Sequence, residues 1–370
     1  MASNWAVSRS QDRVKALARE HLDSHAYRAA VRQELRALAG HDGWVWLLAD
    51  PCTTVGIAPM AETPCPRELP LLIALKYQTQ VNRWTELAAG PSPAVSLKFA
   101  TGGDPARSEL WERLLCRYGI VDVLSVAFAD RWGLWGWLDL WRGPGSHDFS
   151  VEEVRYMAAM AAVVTAGLRE CSAREFQGPG NEGPGGNATG HRQAVLVLAD
   201  DLSIVSQTES AGPWLDLLQR GPAPHQGIPA EVLNVAAQLL AVERGVDAHP
   251  ARSCLHVGNG VWASLVAARM TTAVSGTPAP IAVTIQDCLP AERMAVFELS
   301  FALSPREGQL LELSASGLDT ASLARELAVS RYTVQDQFKS LFGKCSVQSR
   351  GALVAMARGP LAPAGSWAEG

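Results

Sequence analysis

Lysine is scarce in this 370-residue chain: Lys15, Lys76, Lys98, Lys339 and Lys344 are all there are, and none falls between Lys98 and Lys339. The net charge of −5 excludes a protein that binds polyanions through bulk positive charge. Long apolar runs are also missing. The longest weakly polar stretch, 157–168, is too short and too alanine-rich to span a bilayer, so no membrane association is expected. Residues 1–13 have no apolar core of the kind a secretory signal carries, which gives a cytoplasmic expectation. The seven cysteines (52, 65, 116, 171, 254, 288 and 345) are odd in number and contain no C-x-x-C, so they read as reduced thiols. Cys52, Cys65 and Cys116 could gather a metal with His41 or His147 only by coincidence of folding, since no ligand spacing links them. His21 and His25 read as a solvated helix face. No metal or other cofactor is expected. No G-x-S-x-G, H-E-x-x-H or paired-carboxylate pattern occurs, so the chain reads as a non-enzyme.

What the chain does contain is 48% hydrophobic residues with 19% charged ones, enough for two or three buried cores. A composition break at 177–190, QGPGNEGPGGNATG, reads as a flexible linker. It lacks the G-K-[ST] ending of a phosphate loop, and Asn187-Ala188-Thr189 is a glycosylation sequon in form only. The segments expected are 1–172, a linker 173–191, 192–290, a connecting helix 291–302, a helical unit 303–358 and a disordered tail 359–370. The fold class expected is α+β and multidomain, with an all-α carboxyl-terminal unit.

That last unit is the most legible. Ser304, Pro305 and Glu307 spell a capping box with proline at the first helical position. Leu310, Leu311 and Leu313 form an apolar stripe, and Gly317 ends the helix. Leu323 and Leu327 mark a second helix, and Ser330 caps a third. In the third, Val334, Phe338, Leu341 and Phe342 share one side. Tyr332, Gln335, Asp336, Lys339 and Gly343 point the other way. Gln335 and Lys339 can bond base edges and Asp336 can accept from cytosine N4, while Ser330, Arg331, Thr333 and Lys344 suit phosphate contacts. Ser349 caps a short fourth helix carrying Leu353 and Val354. From 303 to 358 there are seven Lys/Arg against five Asp/Glu, so +2, which suits a site-specific reader better than a non-specific one.

This segment resembles the LuxR-type helix-turn-helix of bacterial transcription regulators. The matching residues are the L-S-P-R-E opening, Gly317, Leu323-Ala324, Ser330 with Thr333-Val334, Lys344, Val347 and Ser349-Arg350. The resemblance implies that the third helix reads double-stranded operator DNA, with Gln335, Asp336 and Lys339 facing bases. It also implies that the fourth helix pairs two copies in a homodimer, and RNA polymerase is a further partner of such a regulator. Two departures stand out. Gln337 replaces a usual histidine, and Cys345-Ser346 replaces the usual Leu-Gly, which unsettles the turn into the fourth helix.

Upstream, helix 27–38, strand 43–49, the strand pair 124–129 and 134–141 turned at 130–133, and a helix opened by Ser150 and Glu153 describe an α+β domain. This order resembles a GAF sensory domain, through W-V-W-L-L-A-D-P at 44–51, L-K-Y at 75–77, N-R-W at 82–84 and W-G-W-L-D-L-W-R at 135–142. Trp135, Trp137 and Trp141 alternate on one expected face. They form either an aromatic-lined pocket for a small-molecule ligand or a tryptophan-rich core or dimer face. After the linker, strands at 194–199, 202–206, 253–257, 261–269 and 281–285 with a helix at 232–242 resemble a PAS domain. L-V-L-A-D-D at 196–201 looks like the start of a phosphorylated receiver, but that fold needs a later lysine and this region has none. In 291–302, Met294, Phe297 and Phe301 face inward on the connecting helix. The function expected is a sequence-specific DNA-binding transcription regulator with GAF-like and PAS-like signal input. The alternatives are a partner-binding regulator whose first domain is an assembly module, and an enzyme with an appended DNA reader.

Overall fold

The computed structural model describes residues 4–177, 193–219, 228–271 and 279–359. Most of the expected linker, the sequon at Asn187 and the tail from 360 onward lie outside the described residues. Among the described residues there are two five-stranded antiparallel sheets and a carboxyl-terminal group of helices.

The first sheet comprises β1 (Gly43–Ala49), β2 (Gly56–Glu62), β3 (Ala94–Ser96), β4 (Asp122–Asp130) and β5 (Gly133–Arg142), in the order β2-β1-β5-β4-β3. Helices α1 (Asn4–Arg19), α2 (Ser24–Arg36) and α7 (Val151–Glu175) flank it in sequence and cover one face. There Trp46, Phe128, Leu138 and Leu140 pack against Tyr27, Met157 and Val164. The helix opening at Ser150 and Glu153 is a complete capping box, as the sequence predicts. The opposite face carries α3 (Leu69–Gln78) and α4 (Trp84–Ala89), with the short α5 (Leu97–Ala100) and α6 (Glu109–Arg113) at its border.

The second sheet comprises β6 (Ala194–Leu198), β7 (Ile204–Gln207), β8 (Arg252–Gly258), β9 (Val261–Arg269) and β10 (Ile281–Asp287), in the order β7-β6-β10-β9-β8. Counted from its own first strand, this is the same order as the first sheet. Asn259 and Gly260 take positive φ in the β8–β9 turn, as a tight hairpin demands. Helix α8 (Ala211–Leu218) packs on β6.

Helix α9 (Ala230–Glu243) joins the two halves. Residues 230–238 are buried all round, which marks a helix enclosed by protein rather than one lying on a surface. It touches β9 and β10 of the second sheet and also α3 and β2 of the first. Asn234 Nδ2 donates to Gly56 O (2.9 Å), and Gly56 N donates to Tyr77 Oη (2.9 Å). A Cβ at position 56 would lie 2.5 Å from both Leu47 and Trp137, so only glycine fits there. Beside this contact Arg83, 1% exposed, pairs with Asp247, and its guanidinium lies over Trp84 at 4.5 Å.

Two sequence expectations need correction. Cys254 and Cys288 are joined as a disulfide with Cα atoms 6.3 Å apart, so the cysteines are not all thiols; Cys52, Cys65, Cys116, Cys171 and Cys345 are free. Strand β9 lies between β8 and β10, and Cys288, one residue past β10, donates its N–H to Trp262 O of β9 and so comes across β9 to Cys254 on β8. Trp135 does not share a face with Trp137 and Trp141. A bulge between Phe128 and Ala129 against β5 leaves Trp135 without a cross-strand partner. One extra residue reverses the alternation, and Trp135 turns to the α7 side with Trp46 and Phe128.

Candidate nucleic-acid interface

The carboxyl-terminal unit contains α10 (Pro290–Ser300), α11 (Pro305–Ala315), α12 (Thr320–Glu326), α13 (Arg331–Cys345) and α14 (Arg350–Arg358). Each start follows from a local side chain. Ser304 and Glu307 form a reciprocal capping box on α11, Asp319 caps α12, and Ser330 and Ser349 cap α13 and α14. Gly317 ends α11 region in the left-handed conformation, φ +84°. Leu310, Leu311, Leu323, Leu327, Val334, Phe338, Leu341, Cys345 and Leu353 close a common core. The periodicity of α13 fixes which side is left over.

On that side Arg331, Tyr332, Gln335, Asp336 and Lys339 are exposed, Tyr332 to 74%. Arg331, Gln335, Asp336 and Lys339 make no side-chain hydrogen bond or ion pair with any described residue. Ser330 Oγ accepts from Thr333 N (3.0 Å) and lies 2.9 Å from Thr333 Oγ1, so both hydroxyls sit at the amino end of α13. Lys344 differs from the other sequence candidates. Its Nζ donates to Glu307 Oε2 (2.6 Å) and to Ala302 O (3.2 Å), and Ser340 donates to the other Glu307 oxygen (2.9 Å). Burial would raise the Glu307 carboxyl, but Lys344, Ser304 and Ser340 outweigh it and hold the group down at about 2. Lys344 is thus a brace between α13 and α11. Arg306, Arg350 and Arg358 are likewise turned to main-chain carbonyls, of Leu327, Ser314 and Ala315. The exposed cations of the face are Arg331 and Lys339.

The turn that the Cys345-Ser346 departure unsettled is kept. Ser346 adopts the left-handed conformation itself (φ 55°, ψ 38°) and donates its N–H to Phe342 O, while the Cys345 thiol fills the core. Helix α14 then packs on α10, where Arg293 Nη1 donates to Met356 O (2.8 Å). Phe297 and Phe301 of the connecting segment face inward as predicted, in an aromatic cluster with Phe176 and Trp262, and Met294 is half-buried. This cluster links the second sheet, the end of α7 and the helical unit.

A second site lies on the first sheet. Trp137 and Trp141 line a cavity of about 1340 Å³ under α3, together with Leu47, Ile73, Lys76 and Asp139. Trp135 is not among its walls. Trp137 stacks on Trp84 (4.2 Å between centroids, 8° between planes), so one of the two remaining indoles is clamped. Lys76 Nζ lies 2.7 Å from Asp139 Oδ2, and Ser125 Oγ donates to Asp139 Oδ1 (2.7 Å). The cavity extends to Arg28 of α2 and to Glu231 and Asn234 of α9. Sequence reading missed Lys76; its signal was a lone lysine at the polar position of the apolar run LPLLIALKYQ. Among the described residues no His/Cys/Asp/Glu group is arranged to hold a metal, and no helix is long and apolar enough to cross a membrane.

Residues 302–357 match the model of the family described as bacterial regulatory proteins, luxR family. The match covers α11 to α14 and supports a DNA-binding transcription regulator of the LuxR type. No curated protein matches the chain.

Proposed function

We propose that the chain is a sequence-specific DNA-binding transcription regulator that acts as a homodimer on double-stranded operator DNA. The outward face of α13, with Arg331, Gln335, Asp336 and Lys339 unengaged, carries this reading. Gln335 and Lys339 are assigned to base edges and Asp336 to a cytosine amino group. Ser330, Arg331 and Thr333 are assigned to phosphates at the helix amino end. Lys344 takes no direct part, because Glu307 and Ala302 hold it. Pairing is assigned to α14, where Gly351, Ala352 and Ala355 remain exposed beside the buried Leu353 and Met356. RNA polymerase is the expected protein partner of the bound dimer.

Signal input is assigned to residues 1–172 as a GAF-like domain and 192–290 as a PAS-like domain, with 173–191 as linker, 291–302 as connecting helix and 303–358 as the DNA reader. The shared antiparallel order of the two sheets and the helices laid on them support that likeness. A ligand in the first-sheet cavity would bias the DNA reader only if it binds two arrangements of the chain unequally. Helix α9 and the aromatic cluster around Phe297 are the packed route between them. Selection from a random duplex pool by the full chain, followed by footprinting, tests the reading. It should yield a partial palindrome with two protected half-sites about 10 bp apart, centre to centre. A single protected half-site under a monomer refutes the dimer.

A further inference from the structure

The cavity under α3 has a definite chemistry. Its aromatic end is walled by Leu47, Ile73, Trp137 and Trp141, and a buried ion pair, Lys76–Asp139, sits among them. Their side chains are 12% and 6% exposed. Ionic groups are costly in such a wall unless their hydrogen bonds are met. Asp139 is served by Lys76 and Ser125, one on each oxygen. Lys76 has three N–H groups, and Asp139 is its single side-chain partner among the described residues.

The charges of the wall disfavour an anion throughout the cavity and either ion at its aromatic end. At the aromatic end Lys76 and Asp139 cancel, so a carboxylate there would leave a net negative charge and an ammonium a net positive one. At the far end the Arg28 guanidinium donates to the carbonyls of Ser24, Trp46 and Ala58, and the Glu231 and Glu175 carboxylates act on it. Along the whole lining, five carboxylates (Asp23, Glu62, Asp139, Glu175, Glu231) stand against three cations (Arg28, Lys76, Arg174). The carboxylates outnumber the cations, so the lining as a whole offers an anion no net attraction.

We propose that this cavity binds an uncharged, planar, largely apolar molecule carrying a hydrogen-bond-accepting carbonyl, with that oxygen on Lys76 Nζ and its ring system between Trp137, Trp141 and α3. The volume accommodates a ligand larger than most, since small-molecule sites run from about 300 to 1,000 Å³. Asn234 and Glu231 of α9 share the lining, so the cavity is bounded by both sheet units. The proposal rests on the reading of the first sheet as a signal-input unit and specifies its ligand class.

Calorimetric titration of the full chain with naphthalene, 2-acetylnaphthalene and 2-naphthoate separates the ideas. The ketone should bind about tenfold tighter than the hydrocarbon, the return of one charge-assisted hydrogen bond, and tighter than the acid. In a Lys76→Met/Asp139→Leu double variant, which removes both charges together, hydrocarbon binding should persist and the ketone's advantage should vanish. A ketone and hydrocarbon of equal affinity, or an acid that binds tightest, overturns the ligand class while leaving the cavity as an input site. No heat with any of the three overturns both. Sequence-specific DNA binding by the same preparation is scored separately and does not depend on either outcome.

Discussion

At the scale of single residues, the helical unit divides its cations between two tasks. Lys339 is free on the outward face of α13, whereas Lys344 is tied to Glu307. Lys339→Ala should therefore weaken binding to the selected site by about 1–3 kcal/mol and relax preference at one base position. A uniform loss on all duplexes, with a salt slope lower by about one, would reassign Lys339 to phosphate. Lys344→Ala should leave the salt slope unchanged and lower stability instead. The linked carboxyl gives this a pH signature. Glu307 is held at about 2, below its ordinary 4.5, so its stabilisation is present above pH 4.5 and lost as pH falls towards 2. We expect a loss of about 1–2 kcal/mol across that window, moderated because the Lys344 side chain is 37% exposed to water. Thermal melts of the parent should show an acid loss larger by about that amount than melts of Glu307→Gln, because the depressed carboxyls of Asp42, Asp201 and Asp247 titrate in both. An equal acid loss in both proteins would place the effect elsewhere. Ser346 sits in the left-handed region that glycine occupies without a Cβ penalty. Ser346→Gly should raise stability by about 0.5–1 kcal/mol, and a lower melting temperature would show that the serine side chain matters to the turn.

At the scale of elements, cap chemistry and period carried most of what could be read in advance. Ser150, Ser304, Ser330 and Ser349 each cap the helix expected of them, because capping depends on residues three apart. Strands β1, β4, β5, β9 and β10 announce themselves by runs rich in Val, Leu, Ile or Trp. Strands β2 and β3 do not: GIAPMAE contains a proline and small residues, and AVS is three residues long. They exist because the neighbouring strands offer an edge, a tertiary cause that no local pattern records. The same limit hid the β5 bulge, which depends on pairing with β4 and which moved Trp135 out of the predicted tryptophan face. It hid the Cys254–Cys288 bridge, whose partners meet only through the β8–β9–β10 ladder. Cys288→Ser should destabilise the second sheet unit by about 3–4 kcal/mol, the loop-closure value for the 34-residue separation. Melts of parent and variant under a reductant should coincide; a variant as stable as the oxidised parent would contradict the bridge.

At the scale of the whole molecule, the two sheet units and the helical unit form a continuous packed body through α9 and through the cluster of Phe176, Trp262, Phe297 and Phe301. Asp50 adds a third joint: its carboxylate accepts from Cys52 N and from Cys254 N, both at 2.8 Å, tying a first-sheet loop to β8. If the sheets take in a signal as proposed, it would have a packed path to α10, and α10 holds α14 through Arg293. The path matters only if α13 reads DNA. That claim is tested most directly by the affinity of the full chain for its selected duplex against a scrambled duplex of the same length and composition, at one fixed salt concentration. The account predicts binding at least about 10³-fold tighter to the selected site, the lower end of the range for specific readers. Equal affinity for the two duplexes would contradict it.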